Sequence, residues 1–153
     1  MNKNNNFLVY ALVVIILGAG VWFFLKGQKT ATPDTMMTEE STTENQLVVS
    51  LNEENESGET GTATLTEEND QVTVILDMTG FEPDVSQPAH IHTGTCPDVA
   101  GVVYPLTNVL NGSSTTVLDV TLAQLKSELP LGLNVHKSAQ EVAVYTACGD
   151  LVF

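Results

Sequence analysis

The sequence predicts an all-β domain, a Greek-key β-sandwich or flattened barrel with one short helix, preceded by a single N-terminal transmembrane helix. Three observations predict it. Residues 7–25 contain no charge, apolar residues recur at period two from residue 47 onward, and Gly, Asn and Asp punctuate those runs at short intervals. At 153 residues, 42% hydrophobic and 16% charged, the chain suits one domain plus an appendage.

The apolar head is Phe7 to Leu25, FLVYALVVIILGAGVWFFL. As a helix it spans about 28 Å, close to the ~30 Å hydrocarbon core of a bilayer. Trp22 and Phe23 fall near one interface, and Lys26 and Lys29 close that end. A cleaved secretory signal is the rival reading, but its apolar region is shorter and a small-x-small site follows it. Here Trp-Phe-Phe-Leu-Lys follows, so an uncleaved anchor over residues 1–29 is expected, and no Cys lies near it to carry a lipid. Residues 30–46, TATPDTMMTEESTTENQ, have no apolar period and cannot offset their ordering entropy by burial, so they read as a disordered acidic linker.

The domain is expected over residues 47–153. LVVSL places Leu47, Val49 and Leu51 on one face; GTATLT alternates Ala63 and Leu65 with threonines; QVTVILDM aligns Val72, Val74, Leu76 and Met78. Glu68-Asn69-Asp70 suits the hairpin turn between the last two. Later strands are expected at Ala89–Thr93, Ser114–Val120, Leu131–Lys137 and Val142–Cys148, with Asn111-Gly112 as a turn. Thr121 and Gln124 form a capping box for a short helix whose Leu122, Leu125 and Leu129 share a stripe, ended by Pro130 and Gly132. Seven short strands in this length fit a sandwich; their order is not encoded in the period.

Charge divides the chain. Residues 1–29 hold three Lys and no acid, whereas residues 30–153 hold two Lys and all 19 acids. With no Arg and no basic cluster, nucleic acid is excluded as a partner. Glu53, Glu54, Glu56 and Glu59 lack the spaced loop of a Ca²⁺ site and read as a solvated rim. No Gly-rich phosphate loop or Gly-x-Ser-x-Gly elbow occurs.

Two features carry chemistry. Cys96 and Cys148 are the only cysteines. In a cytosolic protein such a pair is usually free and buried; behind a membrane anchor it meets an oxidising space, where a disulfide is the expected state. That reading puts the domain outside the membrane and the N-terminus in the cytoplasm. His90 and His92 share one face of their strand with Ile91 on the other, and His136 opposes Leu133 and Val135. If the apolar faces point to the core, the three imidazoles share the outer face, a donor set suited to copper or zinc with an open position. The alternative is that they satisfy loop backbone groups and pack on one another.

The stretch AHIHTGTC with the later HKSAQEVAVYTACGDL resembles Cu/Zn superoxide dismutase, which carries a His-x-His strand, a Cys soon after, a late Val-His and a closing Ala-Cys-Gly strand. The resemblance implies that His90, His92 and His136 match three copper ligands, and that Cys96–Cys148 matches the intrasubunit disulfide. AHIHTG together with TLAQLKSELPLGLNVHKS is equally similar to the CHRD (chordin-type) domain, with its Ala-His-Ile-His-x-Gly, short Leu-rich helix and Asn-Val-His. Both families are antiparallel β-sandwiches. Departures limit what carries over. No His lies between His92 and His136, so the dismutase's bridging and His zinc ligands have no counterpart. Its active-site Arg, three residues before the last Cys, is Tyr145 here; Tyr104 and Tyr145 read as packing residues. The Gly-Glu-Ile-Arg-Gly ending of CHRD is missing, with only Glu141 as an echo. The 15 acids and two Lys of residues 47–153 would repel the superoxide anion. The expectation is therefore a membrane-anchored, extracytoplasmic domain that binds copper, or zinc, without efficient dismutase activity. A metal-free CHRD-like structural or binding module at the cell surface is the alternative, and an active superoxide dismutase is the third reading. No protein partner can be named from the residues.

Overall fold

The computed structural model describes residues 45–153. The expected transmembrane helix at 7–25 and most of the expected linker lie outside them; among the described residues no helix is long and apolar enough to cross a membrane.

Ten strands and one helix make up the domain: β1 (Gln46–Glu53), β2 (Thr60–Glu68), β3 (Gln71–Thr79), β4 (Ser86–Gln87), β5 (Ala89–Thr93), β6 (Val102–Pro105), β7 (Val109–Leu110), β8 (Ser113–Leu118), α1 (Leu122–Ser127), β9 (Leu131–His136) and β10 (Tyr145–Asp150). Every pairing is antiparallel, in the order β4-β7-β8-β3-β2-β1-β10-β9-β5-β6. The fold is thus an all-β curled sheet with one short helix. β1 joins its two parts: Gln46–Leu51 pair with β2, and Asn52 and Glu53 pair with β10.

Period two explains the curl. Leu47, Val49 and Leu51 are buried while Val48 is 48% exposed, and Val72, Val74, Leu76 and Met78 are buried on β3. Their inward faces meet Ile91, Leu133, Val135 and Ala147 from the β10-β9-β5 part in one continuous core. The Asn111-Gly112 turn between β7 and β8 takes the left-handed conformation at both residues, φ 51° and 81°.

Several expectations need correction. β4, β6 and β7 are two to four residues long, too short to show a period. The last strand begins at Tyr145, because Ser138–Val144 fold into turns in which Ser138 accepts from Glu141 N and Glu141 from Val144 N. The helix stops at Ser127, leaving Leu129 38% exposed. Its capping box is half formed. Thr121 Oγ1 accepts from Gln124 N at 3.1 Å, but Gln124 Nε2 turns to Glu128, and the Leu122 N–H is met by Glu67 Oε2 at 2.6 Å. Gly132 does not end the helix; it lies on β9, where a Cβ would meet Val99 Cγ1 at 2.7 Å. It lets the 94–101 loop lie on the sheet.

Candidate metal centre

β9 runs between β5 and β10, and that placement assembles the site. His92 stands opposite Gly132, His90 opposite Asn134, and His136 opposite Tyr145. The outward sides of His90, His92 and His136 therefore meet, and one ring nitrogen from each lies within 4.8 Å of the other two. His90 Nδ1 is 2.9 Å from His136 Nε2. The outer face is not open to water, as a bare strand face would be. Every residue of β9 is buried, and His92 and His136 are 4% and 5% exposed.

Two elements cover this face. The 94–101 loop is bonded to the sheet through the Cys96–Cys148 disulfide, and it brings Ala100 O to 2.9 Å from His92 Nδ1. On the other side Tyr145 packs its ring edge on His136, centroids 5.0 Å apart. The turn before it brings Val142 O onto His136 Nδ1.

The carbonyls fix the tautomers. A carbonyl oxygen only accepts, so His92 and His136 carry their protons on Nδ1 and present lone pairs from Nε2. His136 Nε2 accepts from His90 Nδ1. His92 Nε2 is buried with no hydrogen-bond partner among the described residues. Burial holds the His90 ring below the ordinary histidine value, and the His136 and His92 rings add to this. Burial also lowers His136, against the hydrogen bond to Val142 O, with His92 lowering it further. Both are thus neutral at pH 7, the form in which an imidazole binds a metal.

These residues fit one ion. Two nitrogens each ~2.0–2.1 Å from a common metal stand about 3.3–4.2 Å apart; the donor atoms of the three rings all lie within 4.8 Å of one another, and the hydrogen-bonded His90 and His136 nitrogens, at 2.9 Å, would move slightly apart to share an ion. Each Nε2 donor has its second ring nitrogen held by a backbone carbonyl, the usual outer support of a histidine ligand. His90 offers Nδ1 once its proton moves to Nε2. Sequence reasoning placed these three residues on one face; it missed Ala100 and Val142, whose backbone oxygens leave no side-chain signature.

A family model for the CHRD domain matches residues 24–142, a span that holds all three histidines and Cys96 and stops short of Tyr145 and Cys148. No curated protein matches the chain. Among solved structures, a single-residue variant of superoxide dismutase 5 from Candida albicans superposes with a TM-score of 0.55 at 19% identity, covering 71% of this chain and 92% of that one. A second variant of the same protein gives a TM-score of 0.52 at 16% identity, over 71% and 92%. At such identity the likeness is one of fold, and it is the fold both sequence resemblances implied. The chain belongs to the CHRD domain family, on a superoxide dismutase-like β-fold.

Proposed function

We propose that this chain is a membrane-anchored, extracytoplasmic CHRD domain that binds one copper or zinc ion through His90, His92 and His136 and does not turn over superoxide efficiently. The buried, unpartnered Nε2 of His92 carries this reading. A lone pair sealed from water beside two further imidazoles costs stability unless something accepts it, and a soft or borderline cation does so. When bound, such an ion supplies Lewis acidity, or one-electron chemistry if it is copper. The chain's own contribution is orientation and cover. Ala100 O and Val142 O hold two ring planes, and Tyr145 walls off His136.

Metal analysis of the purified full chain after reconstitution with Cu²⁺ or Zn²⁺ tests this. One equivalent is expected, lost in His136→Ala; absence of bound metal sinks the proposal. The second reading, a metal-free surface module, draws on the His90–His136 hydrogen bond, which satisfies two of the rings without an ion. Carbonate washing of membranes tests the anchor. Retention in the pellet is expected, and release into the wash overturns it.

A further inference from the structure

Asn134 on β9 is 0% exposed, more enclosed than any other polar side chain among the described residues. Neither its Oδ1 nor its Nδ2 has a hydrogen-bond partner among them. Its backbone serves the ladders to β5 and β10, so the amide is left over. An amide sealed from water with both ends unpaired costs stability unless something in the working protein pairs with it.

The register shows what lies within its reach. Leu131, Leu133 and Val135 belong to the core, so Gly132, Asn134 and His136 share the outward face of β9. Asn134 stands directly opposite His90, and His92 stands opposite Gly132, two residues back. Direct cross-strand neighbours hold their Cβ atoms ~4.5–5.5 Å apart and diagonal ones roughly 7–8 Å apart. Asn134 is therefore the middle residue of the histidine patch, with His90 beside it, His92 on the diagonal and His136 next along its own strand face. On its other flank stands Cys148, which the disulfide ties to the 94–101 loop. The patch thus holds two buried groups without a partner, the Asn134 amide and His92 Nε2.

We propose that Asn134 Oδ1 is the fourth protein donor to the ion held by His90, His92 and His136, an inference that rests on the metal-binding reading above. An amide carbonyl is a neutral oxygen donor. Added to three imidazoles it makes an uncharged four-donor set, the number that zinc takes in closed, structural sites. A carboxylate at the same position would leave a buried, unpaired charge in the metal-free fold, which asparagine avoids. With the fourth position taken by the chain itself, no open position remains for a substrate. The rival is internal pairing, in which a small shift lets Nδ2 donate to His92 Nε2 and Asn134 serves the metal-free fold alone.

Zinc affinity of the full chain, measured by chelator competition beside the melting temperature of the metal-free form, separates the two. Asn134→Leu is close in size but apolar. It is expected to bind zinc ten-fold or more weaker while melting no lower without metal, because the unpaired groups are gone. Asn134→Asp is expected to bind zinc at least as tightly as the unaltered chain. Should the Leu variant fail to fold, Asn134→Ala takes its place with the same loss expected. Zinc affinity within two-fold of the unaltered chain in the Leu or Ala variant overturns the proposal, and so does an Asp variant that binds no better than these. If they keep zinc while His136→Ala loses it, the three-histidine site stands without Asn134. An unaltered chain that takes no zinc or copper removes both.

Discussion

At the scale of single residues, the fold depends on a few positions where backbone meets backbone. A Cβ at Gly149 on β10 would overlap the Ser50 carbonyl oxygen of β1, the strand that joins the two parts of the sheet. Gly149→Ala is expected to cost about 1–3 kcal/mol through strain that neither strand can relieve by a rotamer change, read as a lower denaturant midpoint. An unchanged midpoint would show that the strands separate freely there. Glu56 shows the opposite economy. With φ 56° beside Asn55 at φ 54°, it sits in the left-handed region without being glycine. Nothing in the local sequence ENESGET marks Glu59 as buried and Glu56 as exposed. The difference arises because Gln87, 28 residues on, reaches Glu59 alone.

At the scale of elements, the 94–101 loop ties the disulfide to the imidazoles. Closing a loop with a sequence separation of 52 stabilises the fold by about 4 kcal/mol in the chain-entropy account. The same bond keeps Ala100 O on His92 Nδ1. Replacing both cysteines by alanine is therefore expected to lower the melting temperature and also to weaken zinc binding. Calorimetry and a chelator competition measure the two effects, and a less stable protein with unaltered zinc affinity would separate the loop from the site. The elements themselves were legible to very different degrees. β1, β2 and β3 alternate cleanly over eight or nine residues and could be read directly. The parity of His90, His92 and Ile91 was also readable. Two-residue strands such as β4 and β7 have no period to read, and Val142–Val144 mimic a strand while folding as turns. What brings His136 to His90 is the position of β9 between β5 and β10, a long-range fact that no local pattern encodes.

At the scale of the molecule, charge decides what can approach. Residues 47–153 hold 15 acids and two Lys, so any anion meets a repulsive field before it reaches the imidazoles. For the copper-loaded chain, superoxide disproportionation is expected to be little above that of the free protein. Whatever rate remains should rise with ionic strength as screening weakens the repulsion, the reverse of a steered reaction. A stopped-flow series in NaCl measures it, and a fast rate that falls with salt would contradict this account. The strand at the junction has a mechanical consequence as well. Any pull on the chain preceding Gln46 enters the domain through β1, which is bonded to β2 along six residue pairs and to β10 along two more. Where such a load is directed along the strand, the ladder resists it in shear, several bonds yielding together rather than one at a time. If the leading segment is the proposed anchor, the domain would meet a load through the strand that joins the two parts of its sheet.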